Sequence, residues 1–280
     1  MRPRALTIAG SDSGGGAGIQ ADLKTFTALK VFGTTAITAV TVQNTLGVKG
    51  YELMPPALVS DQIEAVLEDI GTDAVKSGML GTAEIIAAVA QTLRHRRLLY
   101  VLDPVMIAKG GAKLLADDAI EDLINLLIPI ATIVTPNIPE AEEISGIAID
   151  SEAARQNAAH KILSLGPKAV IIKGGHGRAE QGPKAFDDLL VIKEGDTEKE
   201  YYLPTERIET RCDHGTGCTF SAALTAFLAK GEDILSAAQK AKDYMTKAAE
   251  VLPEAQYALG VWIERGYFGT PDQKKAVALY

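Results

Sequence analysis

The segment from Arg211 to Ser221, RCDHGTGCTFS, carries the residue types best suited to chemistry in this chain. Gly215 and Gly217 stand just before Cys218, and from Phe220 onward apolar residues recur with helical spacing. This pattern predicts a glycine turn that brings Cys218 to the N-terminus of a helix. Unpaired backbone N–H groups and the helix dipole attract an anion there, and the same field favours a thiolate over a thiol. Phosphate binding beside a potential base is the simplest function for such a segment.

Other roles for the same segment are weaker. Cys212, His214 and Cys218 are potential zinc ligands, but the chain has 2 cysteines and so no further thiol to complete a tetrahedral site. Asp213, His214 and Cys218 do not suggest a nucleophilic triad, because such partners normally come from separate chain segments. Thiol statistics alone favour Cys218 as a small core residue, and only the two glycines and the helix start reverse that preference.

Polar residues also follow several predicted buried strands. Gln43 follows the strand 34–42, Asp103 follows 98–102, Asn137 and Glu140 follow 131–134, and Lys173 follows 169–172. Ligands of parallel sheets gather outside the carboxyl ends of the strands, so these residues would meet in one crevice. A lysine there could meet phosphate and an amide could recognise a heterocycle, although from the residues alone a surface turn is the more common role for Gln43. Phosphoryl transfer with magnesium is the reaction class that this set favours.

A loop with five glycines, Gly10 to Gly18, separates the first predicted strand from the first predicted helix. Its spacing matches neither the dinucleotide-binding fingerprint nor a Walker loop, which would require Gly-Lys-Ser/Thr. The loop could be a flexible turn that needs positive φ angles. The number of glycines mildly favours a close approach of the backbone to a ligand.

Strand and helix patterns alternate along the chain in at least six units, which predicts an α/β fold. The expected architecture is a doubly wound, mostly parallel central sheet with helices on both faces. Two strand-like pieces, 185–192 and 200–203, flank a turn-rich segment and predict a small antiparallel hairpin at the sheet edge. A helix is expected from Asp233 to about Leu252.

Composition limits the partners. The chain has 280 residues, 47% of them hydrophobic, which is enough for an extensive core. The formal net charge of -8 argues against nucleic acid or an anionic membrane as the main partner, and the basic run 94–97 is interpreted as a solvated helix end. Few cysteines, no signal segment and no apolar run of membrane length predict a cytoplasmic protein without a disulfide framework.

Five motifs follow one another along the chain: 5–12 with 14–24, 42–45, 103–106, 135–141 and 214–219. Together they closely resemble the hydroxymethylpyrimidine/phosphomethylpyrimidine kinases of thiamin biosynthesis, in the ribokinase superfamily, over roughly residues 4–249. The resemblance implies a ribokinase-like fold. It also implies phosphorylation of 4-amino-5-hydroxymethyl-2-methylpyrimidine, and then of its monophosphate, with ATP as donor and Mg²⁺ as cofactor.

The resemblance implies a role for each matching residue. Cys218 stands where most of the superfamily has an aspartate base and would accept the hydroxymethyl proton, beside an anion hole of Gly215, Thr216 and Gly217. The remaining assignments are Gly10, Asp22, Gln43 and Met79 for the substrate, Lys173 for ATP phosphate, and Asp103, Asn137 and Glu140 for magnesium. Gln43 would recognise the amino edge of the pyrimidine, and Asp22 would lie on the substrate side.

Two alternatives stay open. A pyridoxine or pyridoxal kinase would share the fold, the cysteine-type anion hole and a hydroxymethyl-bearing ring. A non-catalytic pyrimidine-binding protein would use the C-terminal tail to recruit a partner. We expect a kinase domain over 1–250 and a helical extension over 251–280, in which Glu254 to Tyr280 resembles a Sel1-like repeat. The partners expected are the small substrate and ATP, with no nucleic acid or membrane, in a homodimer.

Overall fold

The computed structural model describes residues 2–44, 47–107, 114–174, 187–195, 197–204 and 216–250. Within these ranges, one sheet of nine strands has the order β3-β2-β1-β4-β5-β6-β7-β8-β9. The strands are β1 (Arg4–Ser11), β2 (Phe32–Asn44), β3 (Gly47–Leu53), β4 (Ala74–Ser77), β5 (Leu99–Leu102), β6 (Ile133–Val134), β7 (Ala169–Ile172), β8 (Asp188–Glu194) and β9 (Thr197–Leu203).

The centre of the sheet is parallel and both edges are antiparallel. Strands β2, β1, β4, β5, β6 and β7 run parallel, whereas β3 pairs antiparallel with β2, and β8 and β9 continue antiparallel from β7. The predicted edge hairpin is therefore confirmed as β8–β9. Strand β3 was not predicted, because its residues are mostly polar and half-exposed and show no clear alternation.

In the described part of the chain, six α-helices lie between strands and two more follow β9. They are α1 (Gly18–Ala28), α2 (Pro56–Ala65), α3 (Ala83–Leu93), α4 (Asp117–Asp122), α5 (Ile138–Ser145), α6 (Glu152–Leu163), α7 (Thr216–Ala229) and α8 (Ile234–Glu250). Helix α2 continues as a π-helical turn over Val66–Ile70, and α4 continues through Leu123–Leu127 into a 3₁₀ turn over Ile128–Ile130. Helix α4 was missed by the sequence analysis.

Side chains of the central strands alternate between two cores, which confirms helices on both faces. On β7, Val170 and Ile172 point into a core with α3 and α6, whereas Ala169 and Ile171 point into a second core with α7 and α8. A strand buried on both faces needs apolar residues at every position, and β7 is apolar throughout. The sheet therefore holds the carboxyl ends of its parallel strands in fixed register.

Among the residues that the structure describes, no helix combines the length and apolarity needed to span a membrane. Residues 251–280, the predicted extension, lie outside the described ranges, as does Gly215 of the predicted anion hole.

Candidate active site

One cavity lies where the parallel strands end and α7 begins. Most of the predicted site residues line it together: Gly10, Gln43, Met79, Asp103, Asn137, Glu140, Lys173, Gly217 and Cys218. They follow or end β1, β2, β4, β5, β6 and β7, or lie in the first turn of α7. Thr216 is the first residue of α7. The sequence-based prediction that these strand ends converge is thus met by the geometry.

Cys218 lies in the first turn of α7, as the glycine pattern predicts, but its thiol is not activated in the way we expected. Burial raises the pKa of the Cys218 thiol to about 11, although the nearby Lys76 ammonium lowers it. The nearby carboxyl groups of Asp22 and Asp103 raise it further. A helix start alone therefore does not make the thiolate the favoured form, because loss of hydration outweighs the positive field.

An ion pair joins the end of β5 to the end of β7. Lys173 Nζ lies 3.0 Å from Asp103 Oδ1, and Ser221 Oγ of α7 donates to Asp103 Oδ2 at 2.9 Å. Burial would raise the pKa of Asp103, but the ammonium groups of Lys173 and Lys76 hold it below its usual value. A Cβ atom at Gly217 would lie 3.4 Å from Lys173 Nζ, so the glycine lets the ammonium lie close to the start of α7. Positive charge and helix N-terminus thus coincide.

Asn137 and Glu140 form a capping box at the start of α5. The Asn137 side chain accepts from the backbone N–H of Glu140 at 2.9 Å, and Glu140 Oε2 accepts from the backbone N–H of Asn137 at 2.8 Å. Glu140 is 6% exposed, and burial raises its pKa to about 7 despite the opposing ammonium of Lys173. The N-x-x-E pattern therefore has a structural role in addition to any ligand role.

The glycine loop is ordered around one carboxylate. Asp12 accepts backbone N–H groups of Gly14 at 2.7 Å, Gly16 at 3.0 Å and Ala17 at 2.8 Å. Gly18 has φ +55°, and a Cβ there would lie 2.3 Å from the carbonyl oxygen of Gly10. Part of this loop lines the cavity, which supports the ligand-facing interpretation over a flexible turn.

Gln43, Met79 and Gly10 also line the cavity. Ser13 Oγ donates to the backbone carbonyl of Gln43 at 2.7 Å and accepts its N–H at 2.8 Å, which fixes the strand end. A Cβ at Gly10 would lie 3.1 Å from the sulfur of Met79, so the glycine leaves room for that side chain. None of these three residues carries a charge, in contrast to Asp103 and Lys173.

Asp22 requires a correction. Its side chain is 0% exposed, and it lies behind the cavity wall, where it accepts from Thr7 Oγ1 at 2.6 Å and from Lys76 Nζ at 2.9 Å. Direct contact with a substrate is therefore not available to it in this structure. Lys76, which the sequence analysis missed, lines the cavity in its place. A lone lysine inside the short strand β4 gives no local signal of such a role.

The donor set is compatible with a magnesium ion, although among the described residues no group of three or more His, Cys, Asp or Glu side chains clusters as a metal site. Asp103 and Glu140 both line the cavity with carboxylate oxygens, and both are almost fully buried. Mg²⁺ prefers oxygen donors and is usually held by one or two carboxylates together with waters and substrate phosphates. Two carboxylates therefore suffice.

The fold and this site define the class as the ribokinase-like kinases of small molecules. Solved structures that match include a phosphomethylpyrimidine kinase from Clostridium difficile, with 46% identity, TM-score 0.76, and 88% of this chain and 99% of that chain covered. An ADP complex of Bacillus subtilis pyridoxal kinase matches with 37% identity, TM-score 0.76, and 92% and 95% covered.

The chain belongs to the phosphomethylpyrimidine kinase family, whose model matches residues 12–262. A hydroxymethylpyrimidine/phosphomethylpyrimidine kinase from Haemophilus influenzae is 52% identical over 244 residues, which cover 87% of this chain and 89% of that protein. One from Bacillus subtilis is 49% identical over 248 residues, with 88% and 89% covered. The Sel1-like interpretation of Glu254 to Tyr280 is not borne out by these comparisons.

Proposed function

We propose that this protein transfers the γ-phosphoryl group of ATP to the hydroxymethyl group of 4-amino-5-hydroxymethyl-2-methylpyrimidine, and then to the monophosphate that results. The observation that carries the proposal is the position of Cys218. It lines one cavity together with Gln43 and Met79 and with the ion pair of Asp103 and Lys173. A ring held by Gln43 and Met79 would present its alcohol to a phosphate held at Lys173.

The first phosphorylation follows from this arrangement. Gln43 orients the pyrimidine through its amide, while Met79 and Gly10 shape the space beside the ring. Lys173 and the N–H groups of Thr216 and Gly217 at the start of α7, together with Gly215, hold the phosphate that moves. The hydroxymethyl oxygen forms the new bond to phosphorus, the bond to the bridging oxygen breaks, and Cys218 accepts the alcohol proton.

Asp103, Asn137 and Glu140 would hold magnesium, with Asn137 acting through water because its side-chain oxygen already caps α5. When bound, the ion neutralises charge on the phosphate oxygens.

Sequence identity, and not structural similarity, argues against the pyridoxal kinase alternative. The two solved structures superpose with the same TM-score of 0.76, but the phosphomethylpyrimidine kinase is 46% identical and the pyridoxal kinase 37%. The relatives at about half identity are kinases, which also argues against a non-catalytic binding protein.

The decisive experiment uses three acceptors. Purified protein is incubated with magnesium, ATP and the hydroxymethylpyrimidine, its monophosphate or pyridoxal, and the products are identified by mass. We expect both pyrimidines to gain one phosphoryl group each. Phosphorylation of pyridoxal alone would overturn the proposal.

We further propose that the protein works in the cytoplasm as a homodimer. The hairpin β2–β3 supports the dimer, because Val40 and Val42 on one face of β2 are 47% and 61% exposed. Exposed apolar residues on an edge hairpin are typical of surfaces that pair with another chain.

A further inference from the structure

Lys76 is a buried ammonium group that the mechanism above does not use. It lies in β4, its side chain is 0% exposed, and its Nζ donates to both carboxylate oxygens of Asp22 at 2.9 Å. Thr7 supports the same carboxylate from below at 2.6 Å. Lys76 lines the cavity, as do Gly78 and Met79, and Met79 is a residue that we assign to the acceptor.

The geometry leaves one donor of Lys76 available to a ligand. A lysine ammonium carries three N–H groups. Within the described part of the chain, the hydrogen bonds of Nζ go to the two oxygens of Asp22. Nζ lies beside Gly78, where an added Cβ would be 3.5 Å away, and both residues line the cavity. Asp22 therefore anchors Lys76 without using all of its donors.

A purely structural role explains this ion pair poorly. Taking two charges out of water costs several kcal/mol per ion, and well-packed apolar residues of the same volume are often equally stable. A buried charge that also lines a ligand cavity is a candidate for ligand binding.

The charges around the cavity show what such a ligand needs. Among the described lining residues, Asp12, Asp103 and Glu140 carry carboxyl groups, whereas Lys76 and Lys173 carry ammonium groups. Lys173 is paired with Asp103 on the side that we assign to ATP. An anionic acceptor in this cavity would lie among these carboxyl groups and would need a cation of its own. A neutral alcohol would not.

We propose that Lys76 binds the phosphate of the phosphorylated pyrimidine and so selects for the second phosphorylation. The inference rests on the proposed function. In that step a phosphate oxygen of the acceptor forms the new bond to the γ-phosphorus, the bond to the bridging oxygen breaks, and ADP leaves. The second pKa of a phosphate monoester is about 6, so the dianion predominates at neutral pH and attacks without losing a proton. Cys218 is needed as a base for the alcohol, and Lys76 is needed as a cation for the phosphate.

The test compares both acceptors in the full chain. Two matched variants neutralise the pair, Lys76→Gln/Asp22→Asn and Lys76→Met/Asp22→Leu, and the second replaces it with apolar groups in case the first does not fold. We expect KM for the monophosphate to rise at least about tenfold, while KM for the alcohol changes less than about threefold. KM for ATP stays at the wild-type value. Asp22→Asn alone leaves Lys76 buried without its counter-charge, so it should also raise KM for the monophosphate.

Cys218→Ser gives the reciprocal result. It should lower kcat for the alcohol by about 10² or more and leave the monophosphate step much less affected. An equal loss with both acceptors in the Lys76 variants, or no change, would overturn the role of Lys76. Wild-type protein that phosphorylates neither pyrimidine would refute the proposed function itself, which is a different outcome from failure at Lys76 alone.

Discussion

At the scale of single residues, the thiol of Cys218, as the proposed base, should determine how alcohol phosphorylation depends on pH. Its pKa is raised to about 11 by burial, so the thiolate is the minor form at neutral pH. The active base increases as pH rises toward that pKa. We therefore expect log kcat for the hydroxymethylpyrimidine to climb with a slope near one between about pH 7 and 9.5, without a plateau. Cys218→Ser, which cannot ionise in this range, should lose the slope; a wild-type plateau near pH 7 would contradict the assignment.

Gln43 is the residue that we propose to recognise the pyrimidine in the same cavity. Its backbone is fixed by Ser13, so truncation of the amide should remove ligand hydrogen bonds and leave the strand end in place. We expect Gln43→Ala to weaken binding of the hydroxymethylpyrimidine by about 10-fold to 100-fold in calorimetry. ATP binding serves as the internal control. Unchanged pyrimidine affinity would move the recognition of the ring to another residue.

The same residues show what the sequence could and could not predict. Cys218, Lys173 and Asp103 were found because each stands beside a strand end or a helix start, which is a local pattern. The raised pKa of Cys218 and the placement of Asp22 depend on burial, which only the packed chain defines. Lys76 was missed because its partner Asp22 is 54 positions away and nothing in β4 marks it.

At the scale of elements, the long apolar segments were predictable and the polar ones were not. Strand β7 matches its predicted bounds, 169–172, because burial on both faces leaves an uninterrupted apolar pattern. Strand β3 and helix α4 were missed, since β3 is partly exposed and α4 breaks into shorter turns. Their positions depend on neighbours distant in sequence rather than on local periodicity.

Two substitutions at Asn137, in the capping box of α5, can distinguish its contribution to stability from its contribution to ligand binding. Loss of its side chain in Asn137→Ala should lower the free energy of unfolding by about 1 kcal/mol in urea denaturation. Asn137→Ser keeps an N-cap oxygen and should stay within about 0.5 kcal/mol of wild type. Serine lacks the amide, so a higher KM for magnesium in this stable variant would assign the amide to the ion. Equal stability of the two variants would show that the cap is not significant.

Helix α6 and strand β9 are joined by an interaction that depends on pH. Partial burial lowers the pKa of His160, but hydrogen bonds to Glu200 and Glu198 outweigh it and raise the pKa above its usual 6.5. The stabilisation is therefore complete below about pH 6.5 and is lost as pH rises through the folded-state pKa. The effect should stay below about 1 kcal/mol because the side chains are partly exposed. Urea unfolding of wild type and His160→Gln at pH 5.5 and 8.5 should show the two converging at high pH; a constant difference would contradict the prediction.

At the scale of the whole molecule, the central sheet positions the residues of the proposed active site, and its β2–β3 edge offers a surface for a second copy of the chain. Strand β2 pairs with β1 through Val40, while its pairing with β3 continues to Asn44, so the end of this hairpin extends past β1. The same hairpin carries Gln43 in the cavity wall and Val42 on an exposed face. Assembly at this face would therefore lie close to the pyrimidine.

This proximity makes a prediction that links oligomeric state to substrate binding. Val42 is 61% exposed, and Val42→Glu places a charge on the face proposed to pair with a second copy. Burying that charge without a partner is unfavourable, so we expect the dimer to give way to monomer in sedimentation velocity, with an unchanged melting temperature. Compared with wild type, the monomer should bind the pyrimidine more weakly, because the hairpin that carries Gln43 loses its support. Its affinity for ATP should change less. Val42→Thr, which is nearly isosteric, should remain dimeric. A Val42→Glu protein that stays dimeric would place the subunit interface elsewhere.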